Sequence, residues 1–186
     1  MKIIYIPIIL SCLLCISCHK KSELAQLLDC DVLENTVLNK ESTDFNKTFS
    51  ILTSKHWKTN LYYDNFQSSI MTADTTKSLS KTFIFEAALY HGDLSFTEKF
   101  NASIKVKLVE KKLELVQENY FNWQEKPAYY ILVKGMKNKR NYQELTIYIN
   151  HSSHAYLKAQ TQVYGDINIQ ERLCSSLQLF NTLKIK

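Results

Sequence analysis

The tightest pair of imidazoles in the chain is His151-Ser152-Ser153-His154, and neutral histidines three positions apart can share a metal ion. Glu144 is the one carboxylate within ten residues of the pair, so a ligand set is thin. In a turn, such histidines are ordinarily solvated. Paired carboxylates offer a second chemistry, general acid–base work, at Asp29/Asp31, Glu41/Asp44 and Glu110/Glu114. That work needs a carboxyl in a perturbed, partly buried setting, and all three pairs sit in polar stretches. Nucleophilic catalysis finds no frame. There is no Gly-x-Ser-x-Gly elbow, and neither Cys30 nor Cys174 has a histidine beside it. With 3 Gly and 2 Pro, the chain carries no P-loop and no GxGxxG turn. We therefore expect no enzyme, no metal and no cofactor.

The remaining chemistry is charge and aromatic surface. Lys and Arg number 23 against 18 Asp and Glu, a formal net charge of +5. Lys105, Lys107, Lys111 and Lys112 form one basic cluster, and Lys137, Lys139 and Arg140 a second. Such clusters attract anionic lipid heads, at about 1 kcal/mol per charge, or speed docking of an acidic partner. The plain alternative is a solvated helix face and a soluble turn. A pI of 8.8 lies below the mark of nucleic-acid-binding domains, and no nucleic acid is expected. Tyrosines abound, with adjacent pairs at Tyr62/Tyr63 and Tyr129/Tyr130 near Phe66, Tyr142, Tyr148, Tyr156 and Tyr164. Adjacent residues of a strand point to opposite faces. One tyrosine of each pair therefore leaves a one-sided core, either for an interface or for a second helical layer.

The elements that must position these groups follow from periodicity. Phe45 to Thr53, Trp57 to Ala73 and Lys81 to His91 are rich in β-branched and aromatic residues and read as strands. Ser95 and Glu98 have capping-box spacing, and Phe96, Phe100, Ile104 and Leu108 recur every four residues: an amphipathic helix. Strands follow at Leu113 to Trp123, Ala128 to Gly135, Tyr142 to Asn150 and Ala155 to Tyr164. Turns are expected at Gln124 to Pro127, Met136 to Asn141 and His151 to His154. Asp166 is placed to cap a last helix, striped by Ile169, Leu173, Leu177 and Phe180 with Cys174 beside it. Helices on an antiparallel sheet make an α+β domain. Connections of hairpin length exclude a doubly wound parallel sheet.

The N-terminus reads as an address. Lys2 precedes an uncharged apolar run from Ile3 to Ile16, too short for the roughly 20 residues of a spanning helix. It ends Ser17-Cys18, then His19-Lys20-Lys21. A small residue before a cysteine at the end of such a run resembles the lipobox of bacterial lipoproteins. The resemblance implies cleavage after residue 17 and acylation of Cys18, which would hold the protein to a bilayer. Ser11-Cys12 is a competing site that would leave Leu13 to Ile16 on the mature chain. The sequence after Cys18 lacks an Asp and lacks an acidic run, which by the same resemblance implies the periplasmic face of the outer membrane. There Cys30 and Cys174 meet an oxidising compartment, either as a disulfide or as two isolated thiols.

Residues 18–44 then read as a lipidated tether with a short helix near Leu24 to Leu38, and residues 45–186 as one domain. That domain resembles the PsbP-like family, whose fold a Ran-binding nuclear import factor shares. The resemblance rests on Phe49-Ser50-Ile51 leading to Trp57, the helix start Leu94-Ser95-Phe96, the strand opening Lys126-Pro127-Ala128-Tyr129-Tyr130, and a last strand running into a C-terminal helix. From Lys55 onward the chain also looks like small lipoproteins of Bacteroidetes-type bacteria. The resemblance implies an α/β/α sandwich and a non-enzymatic binding or assembly-supporting module for an unknown envelope partner. It carries over no site residue. The alternative is a carrier or sensor holding an apolar small molecule or lipid between helix and sheet.

Overall fold

The computed structural model describes residues 21–31 and 37–186. The leader and Cys18 lie outside the described residues. Seven strands form one antiparallel sheet: β3 (Lys58–Tyr63), β4 (Gln67–Ala73), β5 (Phe83–His91), β6 (Glu114–Trp123), β7 (Lys126–Lys137), β8 (Arg140–Ser152) and β9 (Ala155–Tyr164), in the order β3-β4-β5-β9-β8-β7-β6. Two long helices cover it, α2 (Glu98–Lys111) and α3 (Ile169–Asn181). The α+β architecture expected above is the one observed.

The two helices lie on opposite faces, and β7 shows why. Ala128, Tyr130 and Leu132 join one core with Leu173, Leu177 and Phe180 of α3. Tyr129, Ile131 and Val133 point the other way and pack with Ile104 of α2. The Tyr129/Tyr130 pair is thus explained by a second helical layer. Tyr62 and Tyr63 are not, since both stay exposed.

Several local expectations are corrected. Thr97, not Ser95, caps α2, accepting from the Phe100 amide at 3.4 Å; Ser95 is occupied in donating to Asp93 at 3.0 Å. Asn168, not Asp166, stands at the start of α3, because Asp166 accepts from Asn141 Nδ2 at 2.7 Å and fastens the loop to β8. The turns beside β7 are tighter than expected. Gln124-Glu125 and Asn138-Lys139 have φ of 48°, 64°, 52° and 61°, two-residue hairpins in the left-handed region. Pro127 therefore belongs to β7, ahead of its first pair with β8 at Ala128.

The tether is also corrected. The helix α1 (Glu23–Leu27) buries Leu24 and Ala25 in the α3-side core, followed there by Leu28 and Cys30. The strand β1 (Lys40–Thr43) pairs with β2 (Phe49–Thr53), which also pairs with β10 (Lys184–Ile185). The short helix expected near Leu24 to Leu38 is thus present but ends at Leu27, and it packs into the core instead of belonging to a free tether. Cys30 and Cys174 are bonded, joining the end of α1 to α3 across 144 positions. Arg172 is buried too, donating from Nη1 to the carbonyls of Thr82 at 2.9 Å and Tyr164 at 3.0 Å.

Between β1 and β2, Asp44 organises the loop. Its carboxylate accepts from the amides of Asn46, Thr48 and Phe49 at 3.1, 2.6 and 2.8 Å, and from the Thr48 hydroxyl at 2.9 Å. Burial opposes its charge, but these donors outweigh burial and hold its pKa below the usual value. The unfolded carboxyl titrates near about 3.9. The stabilisation is therefore fully present above that value and is lost as pH falls through the lower folded one. Asp44→Asn should cost about 1–3 kcal/mol at neutral pH and flatten the acid limb of stability, read by urea titration at neutral and acid pH. Replacing Cys30 and Cys174 together by Ser should cost about 2–5 kcal/mol in the same assay, since the bond closes a long loop.

Candidate functional site

The sequence candidates for catalysis are dispersed. His151 lies at an irregularity of β8, half-buried, where burial and then Lys126 push its pKa down; its carbonyl accepts from Lys126 Nζ at 3.1 Å. His154 is exposed in the following turn, with Nδ1 2.7 Å from Ser153 Oγ. Asp31 pairs at the surface with Lys21 at 2.9 Å, Glu114 with Lys134 at 3.4 Å, and Asp44 is spent on its loop. Among the described residues, no three His, Cys, Asp or Glu side chains gather as a metal site would require.

Two surfaces remain. The first lies beneath α2. Phe100 sets its ring edge-on to Tyr129 at 5.3 Å and Tyr148 at 5.4 Å, while Ile104 fills the space above Tyr129, Ile131 and Val133. The helix ends in a Schellman turn, with Leu113 N donating to Leu108 O at 2.9 Å and Lys112 N to Val109 O at 3.1 Å. Lys112 takes the left-handed position with φ of 53°. A side chain at Gly135 would meet Leu113 Cδ2 at 2.7 Å, so glycine lets β7 pass close under this turn.

Beyond Ile104, the helix and sheet diverge into a groove of about 210 Å³. Leu108, Ile131 and Val133 give it an apolar wall; Lys107, Lys111 and Lys158 surround it, with Glu144, Thr146 and Tyr148 on its floor. A second hollow of about 280 Å³ continues past Lys111, Leu113 and Glu144 to Lys137, Met136 and Tyr142. Glu144 accepts from the Tyr142 hydroxyl and, at 3.2 Å, from Thr146 Oγ1. Burial, then the Glu144 charge, raise the Tyr142 pKa. Burial pushes the Lys158 pKa down; Glu144 and Glu86 oppose this, and Lys111 and Lys107 reinforce it. Lys137 Nζ sits 5.0 Å from the Tyr142 ring centre.

The two basic clusters are thus divided and recombined. Lys107 and Lys111 line the groove, and Lys111 and Lys137 the second hollow; Lys105 lines a separate hollow with Glu118 and Tyr120, and Lys139 is in a hairpin turn. Sequence reasoning missed Lys158. Its only signal was alternation, since Leu157, Ala159 and Val163 point to the α3 core and so place Lys158 on the other face.

The second surface is the β3 edge. Phe45, Leu61, Tyr62, Tyr63 and Phe66 are exposed together, Phe66 at 72%. Phe45 stacks flat on Tyr63, with centres 4.0 Å apart. Asp64 Oδ1 pins the adjoining tip, accepting from the amides of Phe66 at 2.7 Å and Gln67 at 2.9 Å. Among the described residues, β3 pairs on one side only, with β4. The opposite edge, β6, is flanked by α1 through Gln117 Nε2 to Leu27 O at 2.8 Å and Asn122 N to Glu23 Oε2 at 3.2 Å.

No protein-family model matches the chain, and no curated protein matches it by sequence. Solved structures do. A Mog1 point mutant shares 10% identity over 79% of this chain and 95% of its own, with a TM-score of 0.51. The protein PA94 of unknown function from Pseudomonas aeruginosa shares 12% identity over 69% of this chain and 97% of its own, at 0.50. Cyanobacterial PsbP from Synechocystis sp. PCC 6803 shares 7% identity over 84% of this chain and 98% of its own, at 0.49. The chain has a Mog1-like α+β fold. At these identities the likeness concerns the fold alone.

Because Ile104 anchors α2 over a small core, Ile104→Ala should cost about 2–4 kcal/mol. Amide exchange should speed up along α2 while α3 stays protected.

Proposed function

We propose that this chain is a non-enzymatic binding module, tethered to a bilayer through acylated Cys18, that engages a protein partner in the cell envelope. The observation that carries the reading is the exposed aromatic edge formed by Phe45, Leu61, Tyr62, Tyr63 and Phe66. Exposed apolar patches mark interaction sites, and Tyr and Phe are enriched in interface cores. An unpaired strand edge is ordinarily blunted by charge or cover; here it presents rings instead. The apolar leader ending in Ser17-Cys18 supports the tether. The bond between Cys30 and Cys174 suits an oxidising compartment, which in this reading is the periplasmic face of the outer membrane.

Two measurements test this. Cys18→Ala should move the protein from the membrane to the soluble fraction; retention in the membrane would overturn the tether. Crosslinking in intact membranes should give one dominant adduct that Tyr63→Glu with Phe66→Ser abolishes. An adduct unchanged by those exposed substitutions would overturn the edge as the partner surface.

A further inference from the structure

We propose that the groove beneath the C-terminal half of α2 binds a single-chain amphiphilic anion of the fatty-acid class. Its chain would lie along Leu108, Ile131 and Val133 and its carboxylate among Lys107, Lys111 and Lys158. This site is separate from the β3 edge and does not rest on the partner reading.

Charge complementarity selects the head group. Four lysines, at 107, 111, 137 and 158, line the two neighbouring hollows against one lining carboxylate, Glu144, with Glu86 also acting on Lys158. Glu144 already accepts from the hydroxyls of Tyr142 and Thr146. The ion pairs among the described residues are Lys21–Asp31, Lys77–Asp74 and Lys134–Glu114, so none of the four groove lysines takes part in one. Lys158 holds its ammonium in a half-buried position where Glu144 and Glu86 offset burial only in part, leaving its pKa down, so a further anion there is favoured. Two cations come from α2 and one from β9, so a head group between them is gripped from both walls.

The shape selects the tail. Hollows of about 210 and 280 Å³ each fall below the usual range of small-molecule sites, roughly 300–1,000 Å³, and border one another through Lys111, Leu113 and Glu144. That room fits one alkyl chain better than the two of a bilayer phospholipid. The wall toward Ile104 is apolar and closed by its packing on Tyr129, Ile131 and Val133, so the tail meets a dry end and the head stays among the lysines.

The test is calorimetric titration of the full chain carrying Cys18→Ala, so that no attached acyl chain competes. Dodecanoate below its micelle concentration should bind one to one. Dodecanol and acetate should each bind at least about tenfold more weakly. Lys111→Ala and Lys158→Met should each weaken dodecanoate by about tenfold and leave dodecanol unchanged. If Lys158→Met misfolds by circular dichroism, the exposed Lys107→Ala takes its place. Equal binding of dodecanol would overturn the role of charge, and equal binding of acetate the role of the chain. The absence of saturable dodecanoate binding would overturn the site itself.

Discussion

Residues 128–133 of β7 are all buried, and a strand cannot bury consecutive side chains on one face. This stretch, AYYILV, therefore demands cover on both sides of the sheet. On one side α3 supplies it, with Leu173, Leu177 and Phe180 over Tyr130 and Leu132. On the other side α2 supplies it, with Ile104 over Tyr129, Ile131 and Val133. Once β7 is buried twice, its neighbours β6 and β8 are held in register with it, and the crossings of α2 and α3 follow.

The two sides are unequal. The α3 core draws in α1, β2, β5 and β9 and is locked by the Cys30–Cys174 bond and the buried Arg172. The α2 core is confined to β6, β7 and β8, and Val106 and Val109 on α2 face solvent. A helix that covers only part of a twisted sheet leaves a divergence at its end, and here that divergence is the groove. On the same face, Tyr90 of β5 and Tyr156 of β9 stack at 5.1 Å. Burial, then Glu86, pushes the Tyr90 pKa up to about 12, so its hydroxyl stays neutral.

How much of this was legible depended on the range of each interaction. The stripe Phe96, Phe100, Ile104 and Leu108 was readable because four-residue spacing is local, and α2 does pack through it. Strands β5, β8 and β9 were readable for the same reason. Turns at Gln124 to Pro127 and Met136 to Asn141 were readable too, but not their two-residue length, since Gln124, Glu125 and Lys139 give little sign of a positive φ. A short helix near Leu24 was readable, but not the extent of α1 or its burial, which depend on Leu24, Leu28 and a bond to Cys174 far along the chain. The sequence left the Tyr129/Tyr130 pair open between an interface and a second layer; only the path of α2 decides it. Lys158 was hardest, since alternation gives its face but not its half-buried setting.

The core and the groove make separable demands on the same strands. In β9, Leu157, Ala159 and Val163 serve the α3 core while Lys158 serves the opposite face, and in β8 Leu145, Ile147 and Ile149 alternate with Glu144, Thr146 and Tyr148. Period two lets one set serve the α3 core while the other gives Tyr148 to the α2 core and Glu144 and Lys158 to the groove. This is why a shared fold at 10% identity leaves function open. The scaffold needs apolar residues of suitable volume in its two cores, and Lys107, Lys111 and Lys158 belong to neither. Their convergence from a helix and a distant strand upon an apolar wall is the feature that the proposed ligand would account for.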